Sequence, residues 1–342
     1  PSSGDAAPEE GSESFVLFAG SKQAGKTSLV TQFLNPAKDD SPKPTVALEY
    51  TFGRRSNTTT TVKDIAHIWE LGGGSKLSDL INVPITPTRL SNAVVVLVLD
   101  LSQPGTVIND LMTWLALVKG RITECCDKLK KTKPALLASM LEAAAERVQH
   151  SSHPDNAIIT PMAVPLVIVA SKYDVFEDFE SVQRKPLLQT LRYVALCHGA
   201  SLVCVGHREK IQTSHFRSLL NHYVFHTELK RAVQNNPAKA LVIPAGADTL
   251  ELIGLPPGSS VGDVQVGSLQ SRVERYRRGV DEMFAPSAPA EERKERDEDT
   301  AEFVEGAIDA MRAQKLDEIE QYKKDAERKL RNAAKASSRK KK

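Results

Sequence analysis

The string Gly20-Ser21-Lys22-Gln23-Ala24-Gly25-Lys26-Thr27 fits G-x-x-x-x-G-K-[ST] without a mismatch. An apolar run, Phe15–Ala19, precedes it, and a helix-like pattern from Thr27 to Phe33 follows. That strand–loop–helix setting is what a phosphate-binding loop requires. Glycine lets backbone approach an anion with no Cβ in the way, and a helix N-terminus adds partial positive charge. Lys26 is placed to reach the β- and γ-phosphates of a nucleotide, and the Thr27 hydroxyl to face Mg²⁺. Gly20, Ser21, Gly25, Lys26, Thr27 and Ser28 are the candidate phosphate shell.

The pattern of the remaining chain extends this to a sheet. Val46–Arg54 alternates, with Leu48, Tyr50 and Phe52 on one face, and Val62–Leu71 reads as its antiparallel partner. Ala93–Leu101 and Val164–Ala170 are continuous apolar runs, as in parallel strands covered on both faces, and Ala200–Val205 is a further strand. Helices are expected at Val107–Leu129, from Pro134 through Val148, at Phe179–His198 and at Thr213–Thr227, with Lys130–Lys133 as an interruption. The expected fold is α/β, a doubly wound, mostly parallel sheet with ligands at the strand C-termini. Beyond it, Leu241–Pro244 and Leu250–Gly254 read as short strands and Leu269–Phe284 as a helix carrying Val273, Tyr276, Val280 and Phe284 on one face. The expected division is a lead-in over 1–14, a nucleotide domain over 15–230 with a helical insertion near 130–155, an extension over 231–285, and a linker with a charged helical tail over 286–342.

Charge is concentrated in that tail. The chain is net +2, yet Lys323–Lys342 holds ten Lys/Arg and two Asp/Glu, so the remainder is net acidic. The tail reads as a solvated end rather than a grip for an acidic surface, and no nucleic-acid partner is expected. No pair of the four cysteines has zinc-ligand or C-x-x-C spacing, which points to idle thiols in a reducing compartment. No apolar run approaches a membrane span, and no signal peptide is read.

Four further stretches resemble the small-GTPase motif set. Thr45, after Pro44, sits where a second Mg²⁺ ligand senses the γ-phosphate. In Trp69-Glu70-Leu71-Gly72-Gly73-Gly74, Glu70 stands where Ras-like proteins have the aspartate that orients Mg²⁺. Gly73 fits the glycine whose N–H meets the γ-phosphate, and Gly74 takes the place of the glutamine that orients attacking water. Glycine cannot do that, which argues against intrinsic hydrolysis. Ser171-Lys172-Tyr173-Asp174 resembles N/T-K-x-D, with Asp174 accepting guanine N1–H and N2–H and Lys172 lying along the base. After the last strand comes Val205-Gly206-His207 in place of Ser-Ala-Lys, so the Gly206 N–H remains for guanine O6 while the lysine is missing. The expected ligand is GTP or GDP with Mg²⁺ on Thr27, Thr45 and Glu70, or an empty site.

These motifs are of the P-loop small-GTPase type. The strings Pro44–Arg55, Lys63–Gly74 and Ser171–Phe176 further resemble the light intermediate chain family of cytoplasmic dynein 2, from Phe15 to about Phe284. The resemblance implies a non-catalytic subunit whose GTPase-like domain grips the helical tail of the dynein heavy chain. It also implies other dynein 2 intermediate and light chains and, indirectly, intraflagellar-transport particles as partners. The implied location is cytoplasm, cilium or flagellum and the ciliary base. A partner-activated GTP switch is the alternative.

Overall fold

The computed structural model describes residues 12–36, 43–56, 63–206, 210–229, 233–285, and parts of 306–328. The chain divides into two units, Pro1–Ser287 and Ala288–Lys342.

In the first unit the phosphate-loop signature takes its expected form: β1 (Glu13–Gly20), a loop, then α1 (Lys26–Leu34). The antiparallel pair is β2 (Leu48–Ser56) and β3 (Lys63–Leu71). A 3₁₀ segment over Gly74–Asn82 leads to β4 (Ala93–Asp100), α2 (Val107–Thr132) and α3 (Pro134–Arg147). Then come β5 (Leu166–Ser171), the single turn α4 (Tyr173–Phe176), α5 (Ser181–His198), β6 (Ser201–Val205) and α6 (Lys210–Phe225). The extension supplies β7 (Val242–Ile243), α7 (Leu250–Ile253), α8 (Val261–Gln265) and α9 (Leu269–Met283). Among the described residues one sheet runs in the order β2-β3-β1-β4-β5-β6-β7, parallel except for its two outer strands.

Alternation decides which face each side chain enters. Val16 and Phe18 of β1 pack with Leu29 and Phe33 of α1 and Phe216 of α6. Leu17 of β1, with Val95 and Leu97 of β4, faces Leu111, Trp114 and Val118 of α2. The extension belongs to this second layer. Tyr276 of α9 stacks on Tyr193 of α5 at 4.4 Å, and the Tyr193 hydroxyl donates to the Val264 carbonyl at 2.7 Å.

Three expectations are corrected. Glu13 and Ser14 are in β1, and the Ser14 hydroxyl donates to the Val224 carbonyl, so structure reaches into the stretch read as a lead-in. Residues 1–11 lie outside the described residues. The lysine run does not interrupt α2 before Lys133, because lysine is a good helix former and its charges stay exposed. Leu250–Ile253 is a helical turn rather than a strand, with the Thr249 hydroxyl accepting the Leu252 N–H at the N-cap. Of the linker and tail, residues 313–324 are helical, with Leu316 and Ile319 exposed and Lys315–Glu318 and Lys324–Glu320 ion pairs along it. The rest of that reading falls mostly outside the described residues.

Burial also sets a pH dependence. His198 ends α5 in the core, its Nδ1 has no hydrogen-bond partner among the described residues, and burial, with Lys119 and Arg272 adding to it, pushes its pKa down to about 4. The unfolded imidazole titrates near 6.5, so between these values the unfolded chain binds more protons. Stability is therefore full above pH 6.5 and falls as the pH drops towards 4, by about 3 kcal/mol over the interval. Urea unfolding across this range should show the slope, and His198→Leu should flatten it.

Candidate nucleotide site

The sheet brings the motif residues to one edge, because the phosphate loop, the Lys172–Asp174 turn and Gly206 all follow the C-termini of parallel strands. In the phosphate loop Gly20, Gln23 and Gly25 have positive φ (146°, 59° and 88°). Gly25 is the left-handed N-cap of α1 and has no side chain to supply a cap. Lys26, in the first turn of α1, is 5 % exposed. Its Nζ donates to the Gly20 and Ser21 carbonyls at 3.0 and 2.7 Å. Burial lowers its pKa to about 8, against the opposing pull of Glu70. An ammonium desolvated to this degree inside a ring of positive-φ backbone fits a phosphate group. Asp110 of α2 lies near Ser21, and burial holds its carboxyl above the ordinary range while Ser21 and Thr106 offset part of the shift. Ser28 lies half-buried on the next position of α1.

The three expected Mg²⁺ ligands converge. The Thr27 hydroxyl donates to Glu70 Oε1 at 2.6 Å, and the Thr45 hydroxyl lies near enough to Glu70 to favour its ionised form. Glu70 stands above its ordinary pKa because it is buried, while Thr27, Thr45 and Lys26 offset part of the shift. Glu49 faces Glu70 across the β2–β3 ladder, and its Oε2 accepts the Thr45 hydroxyl at 3.2 Å. The extra methylene of glutamate thus brings the carboxylate directly onto Thr27. An open cavity of about 240 Å³ continues from this corner between α1 and β2, bounded by Thr27, Glu70, Glu49 and Thr51. These oxygens suit a hard divalent cation.

Gly73 and Gly74 both sit in the left-handed region, at φ 70° and 68°. A Cβ on Gly73 would fall 2.5 Å from the tip of the Leu77 side chain, which can shift, so the φ of 70° is what favours glycine in this turn. At Gly74 the nearest neighbour of such a Cβ is the Lys22 stem at 3.6 Å, and the position offers nothing to orient a water.

At the base end, the Ser171 hydroxyl lies 2.6 Å from the Ala24 carbonyl and 2.8 Å from that of Leu99, linking the phosphate loop to β4 and β5. That role replaces the one an asparagine has in N-K-x-D. Lys172 holds φ 56° and its ammonium pairs with Asp100 at the end of β4. Asp174 lies half-buried one turn on, and Gly206 packs against its backbone. The Gly206 N–H is already engaged, donating to Gln212 Oε1 at 2.6 Å. His207 lies outside the described residues. Asp100, Asp110, Glu49 and Gln212 are site residues that no sequence spacing marked.

Comparisons with known proteins agree with this architecture. The Roc family (Ras of Complex, Roc, domain of DAPkinase) matches residues 16–127. The chain is 40 % identical over 318 residues to cytoplasmic dynein 2 light intermediate chain 1 of Danio rerio, covering 92 % of this chain and 86 % of that one. To the protein of that name in Homo sapiens it is 39 % identical over 329 residues, covering 95 % and 91 %. A crystal structure of the conserved domain of a dynein light intermediate chain superposes with a TM-score of 0.59 at 17 % identity, over 79 % of this chain and 98 % of that one, and shares the fold.

Proposed function

The chain belongs to the family of cytoplasmic dynein 2 light intermediate chains, and from that membership we propose that it is a non-catalytic accessory subunit of the dynein 2 motor. Its GTPase-like domain binds and stabilises the tail of the heavy chain in retrograde intraflagellar transport and cilium assembly. It works beside the intermediate and light chains of that complex, in the cytoplasm, at the ciliary base and in the cilium. The observation that carries this reading is kinship over more than nine-tenths of the chain, extension included. No helix of the described residues is long and apolar enough to cross a membrane, which fits a motor subunit.

The phosphate loop then holds a guanine nucleotide as a structural ligand. Lys26 and the loop amides would hold the phosphates, with Thr27, Thr45 and Glu70 holding Mg²⁺, which would supply charge neutralisation there. Support for the non-catalytic part comes from Gly74, where an orienting side chain is missing. The test is affinity isolation of the heavy chain with the full-length protein. Lys26→Ala should retain association within about twofold, a difference of under ~0.5 kcal/mol. Association that follows GTP against GDP would overturn the scaffold reading.

The convergence of Thr27, Thr45 and Glu70 favours one second reading, a switch whose catalytic group comes from a partner. Single-turnover loss of the γ-phosphate in the presence of the motor complex, and not without it, would establish that alternative.

A further inference from the structure

We propose that Gln212 is an intramolecular stand-in for the nucleobase, and that its side-chain amide must leave Gly206 before a guanine can bind. This rests on reading the cleft beside Asp174 as the base end of a nucleotide site. Gly206 directly follows β6, and on this reading its backbone N–H is the donor for a carbonyl at the purine 6-position. A Cβ built on Gly206 would lie 3.1 Å from the Asp174 nitrogen, so this N–H and the Asp174 turn border the same space. The acceptor it has is Gln212 Oε1 at 2.6 Å.

An amide carbonyl and the guanine O6 are the same kind of acceptor, an sp² oxygen with in-plane lone pairs. One N–H held at this distance by one oxygen has no comparable bond left for a second. Gln212 is on the first turn of α6, half-buried, and reaches back six residues through a side chain with three rotatable bonds. It can therefore withdraw without moving the helix. The contact satisfies the donor when the base is absent and competes with the base when it is present. Guanine affinity is lowered by the strength of that contact, and a base lacking O6 is left unaffected. The missing lysine after β6 and the captured N–H weaken base recognition together.

The test is equilibrium dialysis of GDP, and of the diphosphate of 2,6-diaminopurine riboside, against the full-length protein. The second nucleotide keeps a purine, ribose, phosphates and the 2-amino group, replaces O6 with an amino group and has no N1–H for Asp174, a loss common to every protein compared. Gln212→Ala should bind GDP about tenfold more tightly than the unaltered chain, as expected for one hydrogen bond of ordinary net strength. It should bind the diaminopurine nucleotide no more tightly, because a 6-amino donor gains nothing from a freed N–H. Gln212→Glu, which keeps a stronger acceptor on the same stem, should bind GDP more weakly than the unaltered chain. Equal GDP affinity in all three proteins would overturn the role of Gln212 while leaving the nucleotide site standing. A gain shared by both nucleotides would overturn it as well, since the effect would then not pass through O6. Absence of GDP binding from every protein would overturn the nucleotide reading and the inference with it.

Discussion

Gly20→Ala is expected to destabilise the protein by about 4 kcal/mol or more, a loss in the range that marks a specific steric failure. Gly20 has φ 146°, and a Cβ there would sit 2.1 Å from the Val98 carbonyl oxygen. These residues are register partners in the β1–β4 ladder at the centre of the sheet, so the clash is backbone against backbone and no rotamer relieves it. Gly120→Ala is the matched control. Gly120 lies inside α2 with nothing within 4 Å of its would-be Cβ, and alanine there should stabilise by about 0.5–1 kcal/mol. Urea unfolding of the two variants reads both signs. A Gly20→Ala protein within 1 kcal/mol of the parent would show that β1 and β4 can part without penalty.

This result bears on how the phosphate-loop signature is read. Its first glycine is required by the sheet whether or not a phosphate ever binds. Gly25 differs, since the nearest atoms to its would-be Cβ are those of Ser171 at 4.0 Å and only its φ of 88° argues for glycine. Lys26 differs again. A buried ammonium with two carbonyl acceptors does nothing for the core that a methionine would not do better. Its presence is the part of the motif that speaks for an anion.

The same distinction separates what the sequence reveals from what it hides. Runs such as Ala93–Leu99 and Leu166–Ala170 announce strands because a two-sided sheet has a compositional signature. The alternation of Tyr50 and Phe52 gives their shared face but not its burial. β2 is an outer strand, and both rings remain about half exposed. Tyr50 meets Trp69 and His67 instead of a helix. Leu250–Gly254 is too short for either period to show, and only the Thr249 cap distinguishes it. The motif residues were legible because a nucleotide fixes their spacing. Their partners were not: Asp100 reaches Lys172 and Gln212 reaches Gly206 across loops that obey no spacing rule.

Asp248→Ala is expected to cost about 3–5 kcal/mol by leaving one buried guanidinium without its carboxylate. Arg192 of α5 and Asp248 of the extension are 3 % and 4 % exposed. They make a two-pronged pair, Nε to Oδ2 at 2.7 Å and Nη2 to Oδ1 at 2.6 Å. Arg192 also donates to the Asn235 carbonyl, His153 Nε2 lies 3.0 Å from the Asp248 carbonyl, and Asp155 accepts the Leu250 N–H. The loop after α3, helix α5 and the segment 233–250 are thus tied at one point. Arg192→Met with Asp248→Leu removes both charges and should recover most of the loss, which a double-mutant cycle in urea reads as a large coupling. Because the proposed grip on the heavy chain needs a folded domain, the single variant should also lose heavy-chain association and the double variant should regain it. Single variants that cost under 1 kcal/mol would mean that the extension opens on its own.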